Sequence, residues 1–133
     1  MVRLRAHHLM CIQGFRGHGY DPAFTAHLGR IAAAVALDPS APVTVVDGVD
    51  DVCAGCPNRA GEACAWPGGG EEDVRRHDAL VMDAIGLRPG DSTSFAAVAD
   101  RLRREPTALE AVLASCRACR WAGVCGFVAG QGR

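Results

Sequence analysis

The cysteine-rich stretch at residues 53–64, CAGCPNRAGEAC, is the part of the sequence that decides the fold. Cys53 and Cys56 form a C-x2-C pair, and Cys64 follows after a short polar loop. A C-x2-C pair can place two thiolates on one metal ion or cluster within a single turn of chain. Because soft-metal sites usually take four protein ligands, the stretch predicts that a fourth ligand comes from elsewhere and that the fold depends on the site.

A second cluster at residues 116–125, CRACRWAGVC, repeats the pattern of the first. One cluster reads C-x2-C-x7-C and the other reads C-x2-C-x5-C. The repeat makes seven cysteines buried as small apolar side chains a poor explanation. The seven candidate ligands are Cys11, Cys53, Cys56, Cys64, Cys116, Cys119 and Cys125.

The spacing of the cysteines favours an iron–sulfur cofactor over zinc. A 4Fe–4S cluster takes thiolates from scattered positions in a chain. A zinc ribbon joins two C-x2-C pairs across a short spacer, whereas the two pairs here lie far apart. One or two 4Fe–4S clusters are therefore the expected cofactor, with zinc as the alternative.

The segment before the first cluster adds three candidate residues. On a helix over residues 6–13, His7 and Cys11 are separated by four positions, and His8 and Cys11 by three. Either pair shares a helix face. Cys11 is thus a candidate fourth ligand, most simply of the first cluster, and the histidines either share that site or serve ordinary roles in the core and in solvent.

Asp47, Asp50 and Asp51 precede the first cluster. They lack the spacing of an EF-hand, so a hard-cation site is not indicated. The pattern favours turn formation and helix capping instead.

Apolar residues recur mostly at helical spacing, which predicts a mainly α fold with at most a short strand or strand pair. Asp21-Pro22 and Ser94 are typical helix starts, and Gly86 is a typical stop. In the last helix the apolar stripe includes Cys116, which predicts a buried start for the second cluster. The predicted helices are 6–13, 22–37, 71–86, 95–104 and 106–116, with a strand at 43–46, all within one cysteine-rich metal-cluster domain, 1–133.

Composition limits the partners and the compartment. The net charge of −1 gives no general attraction to nucleic acid or to an anionic membrane. No secretory signal and no membrane-spanning stretch is visible. We therefore expect a cytoplasmic protein in a reducing environment, where disulfides are rare.

Three segments resemble a known family. They are R-x-H-H-L-x-C-x-x-G-x-R-G-x-G-Y at 5–20, V-V-D-G-V-D-D-V-C-x-x-C-P at 45–57, and the closing C-x2-C-W-like segment. The family consists of small bacterial and archaeal proteins of unassigned function that are thought to bind iron–sulfur clusters. The resemblance covers nearly the whole chain and supports a metal-binding role, but it implies no reaction.

The number of cysteines suggests a function. Seven ligands divide into four and three, so one cluster would keep an iron without a cysteine. Arg117 and Arg120 flank the second cluster and could hold an anionic substrate, while His7 and His8 could move protons. We expect an iron–sulfur-dependent sulfurtransferase that takes sulfur from a donor to a small anionic substrate.

Two alternatives stay open. The first is an electron-transfer protein with closed clusters, which would need a redox partner. The second is a zinc-stabilised interaction module, whose metal-free form would be unfolded.

Overall fold

The computed structural model describes residues 2–17, 20–65 and 70–116, of which 115 and 116 are described in the backbone alone. The helices are α1 (Ala6–Gln13), α2 (Pro22–Leu37), α3 (Gly70–Ile85), α4 (Phe95–Arg104) and α5 (Pro106–Cys116). The strands are β1 (Val2–Arg5), β2 (Val43–Val46), β3 (Arg59–Ala60), β4 (Ala63–Cys64) and β5 (Ser92–Thr93). A 3₁₀ turn spans Cys53–Gly55. The prediction of a mainly α fold is confirmed.

The helix boundaries follow from local chemistry. The Asp21 carboxylate accepts a hydrogen bond from the Phe24 backbone N–H at 2.7 Å, with Pro22 in the first turn of α2. The Ser94 hydroxyl accepts from the Ala97 N–H at 3.1 Å and caps α4. Gly86 has a positive φ of 70° directly after α3, a conformation that favours glycine.

A three-stranded sheet lies beside the helices in the order β1-β2-β5. Strands β1 and β2 are parallel, with Leu4 opposite Val45, and β5 is antiparallel to β2. Strand β2 was predicted from its β-branched residues, whereas β1 and β5 were not predicted. A separate hairpin, β3–β4, carries Cys64 opposite Arg59.

The core lies between α1, α3, α4, α5 and the sheet. It is built from apolar side chains that are nearly inaccessible to solvent, and α3 makes its most extensive packing against α5. The apolar residues at helical spacing in α4 are buried, as are those of α2 near its start. The central core residues are Leu4, Leu9, Met10, Val45, Val81, Ile85, Phe95, Val98, Leu102, Val112 and Leu113.

Among the helices that the structure describes, none combines the length and the apolar character needed to cross a bilayer. Cys116 was predicted to be buried, but its side chain is not among those that the structure describes.

Candidate metal and acid–base site

A buried polar cluster lies where β1 ends and α1 begins. It joins one guanidinium, two imidazoles and three carboxylates that come from four parts of the chain. Strand β1 positions Arg5, and the first turn of α1 positions His7 and His8. The members of the cluster are Arg5, His7, His8, Asp50, Glu71 and Asp78.

Arg5 is the centre of the polar cluster and is 0% exposed. Its Nε donates to Asp78 Oδ2 at 2.7 Å, and its two terminal nitrogens donate to both oxygens of Glu71 at 3.0 and 2.6 Å. Burial alone would lower the pKa of Arg5, but these two carboxylates outweigh it and raise the pKa above its ordinary value. Arg5 therefore ties α3 to the end of β1 as a permanent cation.

His7 is oriented by Asp78. Its Nδ1 lies 2.6 Å from Asp78 Oδ1, and its backbone N–H donates to the same oxygen at 3.0 Å. Burial would raise the pKa of Asp78, but the hydrogen bonds from His7 and Arg5 hold that pKa well below its usual range. An ionised carboxylate only accepts, so Nδ1 is the donor and Nε2 keeps its lone pair.

His8 is oriented in the same way by Asp50. Its Nδ1 lies 2.5 Å from Asp50 Oδ2. Burial would raise the pKa of Asp50, but His8 and the N–H groups of Arg5 and Cys53 hold that pKa well below its usual range. Asp50 therefore presents an ionised carboxylate to which the His8 Nδ1 can only donate.

A third imidazole adjoins these two. The ring of His77, on α3, lies edge-on to that of His7 at 5.1 Å between centroids, and the His7 and His8 rings are 4.1 Å apart. Burial, followed by the neighbouring imidazole, lowers the pKa of His7 and lowers that of His77 to about 4. His7 and His77 are therefore neutral bases near neutral pH.

The first cysteine cluster borders the polar cluster through Asp50. The second oxygen of this carboxylate accepts from the backbone N–H groups of Val52 and Cys53 at 2.9 and 3.0 Å. Capping by Asp50 was predicted, and its contact with His8 was not. Burial, followed by the charge of Asp50, raises the pKa of the Cys53 thiol to about 12, so a bound cation would be needed to stabilise its thiolate.

Cys56 and Cys64 lie on the adjoining turn and hairpin. The Asn58 N–H donates to Cys56 Sγ at 3.4 Å. The Cys64 N–H donates to Glu71 at 2.8 Å, so this hairpin also contacts the polar cluster. Burial raises the pKa of Cys56, and Cys64 adds to that effect.

Helix α2 packs against the 3₁₀ turn. The Nε2 atom of His27 lies 2.7 Å from the Asp51 carbonyl oxygen. A Cβ atom placed on Gly55 would lie 2.6 Å from the His27 ring and 3.0 Å from its Cβ. Glycine between Cys53 and Cys56 is thus required by the close approach of α2.

The described residues contain a group that could hold a metal ion. Ligand atoms of His8, Asp50 and Cys53 lie within 4.8 Å of one another. The structure thus brings the predicted residues His7, His8 and Cys53 together. Cys11 lies on α1, on the helix face it shares with the two histidines.

Several predicted site residues fall outside the described part of the chain. These are Cys119, Cys125, Arg117 and Arg120, together with the side chain of Cys116.

Sequence reasoning missed Arg5, Glu71, His77 and Asp78. Glu71 and Asp78 continue the helical stripe that contains Val81 and Ile85, which are both buried. Carboxylates on the core face of a helix need buried partners, and that pattern was the available signal.

Comparison with known proteins gives one match. The model of a family described as "Protein of unknown function (DUF1284)" matches residues 19–125. The matched range contains both cysteine clusters, and the segment with His7, His8 and Cys11 precedes it. No curated protein and no solved structure matches the chain.

Proposed function

We propose that this chain, which belongs to the DUF1284 family of proteins of unknown function, is a 4Fe–4S protein that transfers sulfur to a small anionic substrate. The chain's own site supports this proposal. The observation that carries the proposal is the shared carboxylate of Asp50, which accepts hydrogen bonds from the ring of His8 and from the backbone N–H of Cys53. A cysteine turn suited to metal and a pair of oriented imidazoles thereby form one unit.

The described cysteines fit a cluster. Cys53 opens the 3₁₀ turn and Cys56 directly follows it, and Cys64 on the adjoining hairpin is close enough to affect the pKa of Cys56. The N–H···S bond from Asn58 to Cys56 is of the kind that tunes cluster potentials. The cysteines of the described ranges are Cys11, Cys53, Cys56 and Cys64, and they form no disulfides with one another.

The oriented imidazoles favour catalysis over simple electron transfer. The His7 ring is held by Asp78 with Nδ1 protonated and Nε2 able to accept a proton. Its side chain is 20% exposed, whereas that of Asp78 is buried. A closed electron carrier has no need of such a group, whereas a reaction that moves protons does.

The proposed reaction replaces oxygen by sulfur without a change in redox state. Hydrogen sulfide supplies the sulfur, a carbon–sulfur bond forms, the bond from that carbon to a hydroxyl oxygen breaks, and water leaves. His7 accepts a proton from the sulfur donor and returns it to the departing oxygen. A bound cluster with one iron free of cysteine would supply the Lewis-acidic position for the sulfur.

For the second cysteine cluster, the proposal rests on the sequence alone. Seven cysteines leave one of two four-ligand sites short, and we assign the shortage to Cys116, Cys119 and Cys125. Arg117 and Arg120 would hold the anionic substrate there.

Sulfide addition tests this function. Protein reconstituted anaerobically with iron and sulfide is desalted, treated with sulfide, and examined by Mössbauer and EPR spectroscopy, with equal ionic strength from sulfate as the control. We expect sulfide alone to change the signal of one iron site. Irons that remain equivalent and unaffected by sulfide would contradict the open position and would favour the electron-transfer alternative with a redox partner.

A zinc-stabilised module is the second candidate, and the mixed His8, Asp50 and Cys53 group favours it. Nitrogen, oxygen and sulfur ligands in one group are a set that zinc accepts. Colourless protein that contains stoichiometric zinc and unfolds on chelation would establish it in place of the iron–sulfur protein.

A further inference from the structure

His8 lies close to Cys53 of the first cysteine cluster. One of its ring nitrogens, a carboxylate oxygen of Asp50 and the Sγ atom of Cys53 lie within 4.8 Å of one another. His8 comes from the first turn of α1, and Cys53 opens the 3₁₀ turn far along the chain. The fold thus brings a nitrogen ligand to a cysteine turn for which the sequence offers three thiolates.

Asp50 is fully occupied by hydrogen bonds. Oδ2 accepts from the Arg5 N–H at 2.6 Å and from His8, and Oδ1 accepts from the N–H groups of Val52 and Cys53. An ionised carboxylate has about four lone-pair sites, and all four are used. Asp50 is therefore placed to orient His8 behind a metal site, as carboxylates do for metal-bound histidines, and not to bind metal itself.

The charges of the polar cluster favour an imidazole over another thiolate. Glu71 and Asp78 pair with one buried guanidinium, Asp50 accepts from Arg5 only at the backbone N–H, and Arg75 reaches Glu71 from the surface at 2.9 Å. The buried region thus has an excess of negative charge before any cysteine is ionised. A neutral imidazole completes a site without adding to this excess, whereas the Cys11 thiolate would increase it.

We propose that His8 is the ligand that completes the site of Cys53, Cys56 and Cys64, with Asp50 as its orienting partner and without Cys11. The inference rests on the iron–sulfur function proposed above. Imidazole ligands in place of thiolates raise the reduction potential of iron–sulfur centres. His8 is a ligand in this account, and His7 is the group that moves protons.

Pulsed EPR tests the ligand directly. The full chain is produced with ¹⁵N-labelled histidine, reconstituted anaerobically and reduced, and its nitrogen couplings are measured. We expect a strong histidine coupling that is lost in His8→Cys, which supplies a thiolate and keeps the iron and sulfide content. Cys11→Ser should keep both the cluster and the coupling, and so should the control His77→Ala, which alters the neighbouring ring.

The outcomes separate this inference from the proposed function. Wild-type protein that binds no iron and sulfide would overturn both. A cluster without histidine coupling, a coupling that persists in His8→Cys, or a cluster lost in Cys11→Ser would overturn the ligand assignment and leave the iron–sulfur function standing.

Discussion

Arg5 shows how a single residue can govern both the fold and the site. Its guanidinium is inaccessible to solvent and pairs with two carboxylates of α3. Removing one partner of a buried ion pair leaves an uncompensated charge, which costs several kcal/mol. The same carboxylate of Asp78 also orients His7, so stability and imidazole orientation depend on one side chain.

Asp78→Asn is therefore expected to lower the free energy of unfolding by about 3 kcal/mol. Urea denaturation monitored by circular dichroism measures this loss. The matched control is Asp73→Asn on the same helix, which pairs with the exposed Arg76 and should cost at most about 0.5 kcal/mol. Equal effects of the two substitutions would show that the buried network contributes no more than a surface pair.

Predicting these residues from sequence succeeds only in part. The C-x2-C spacing predicted Cys53 and Cys56 as ligands, of which Cys53 lies in the group that could hold a metal ion, and helical spacing placed His7 and His8 on the face of Cys11. Asp50 was predicted as a capping residue, which it is, but its contact with His8 spans 42 positions. No local pattern encodes a pairing over such a distance.

At the scale of elements, the local signals were sufficient for the helices. Asp21-Pro22, Ser94 and Gly86 define helix ends through their own backbone contacts, so the predicted boundaries of α2, α3 and α4 agree with the structure within one residue. Strands β1 and β5 were not predicted because their pairing with β2 is long-range. Local sequence patterns therefore do not predict the sheet.

The packing of α2 against the 3₁₀ turn gives a prediction about cluster assembly. Gly55→Ala should displace the turn that carries Cys53 and Cys56, because its new Cβ would collide with His27. Overpacking of this kind costs about 1–3 kcal/mol. We expect a lower melting temperature and a lower iron content after reconstitution, measured by calorimetry and by metal analysis.

The double variant Gly55→Ala/His27→Ala removes the obstructing ring and should recover iron content toward the wild-type level. Gly48→Ala is the control, since a Cβ there would meet no atom within 4 Å. A double variant as deficient as Gly55→Ala alone would exclude steric contact with His27 as the cause.

At the scale of the whole molecule, the buried carboxylates predict sensitivity to acid. The pKa values of Asp50 and Asp78 are lower in the folded protein than in the unfolded chain. Their stabilising effect is therefore complete above the unfolded value of about 4 and is lost as the pH falls below it. Urea unfolding between pH 6 and pH 3 should show this decline, and it should be shallower in Asp78→Asn. Parallel pH profiles for the two proteins would refute the assignment.

Arg5, Asp50 and Asp78, the buried charged residues of the described part of the chain, lie where several elements meet. The sheet, α1 and α3 meet at the polar cluster, and the cysteine turn closes it through Asp50. A bound metal centre would link the cysteine turn to the core. Metal binding and folding should then be coupled.

The most direct test is a count of iron and acid-labile sulfide in protein purified without oxygen, combined with analysis for zinc. We predict brown protein with about four irons and four sulfides for each cluster, and little zinc. Colourless, folded protein with stoichiometric zinc and no labile sulfide would contradict this prediction.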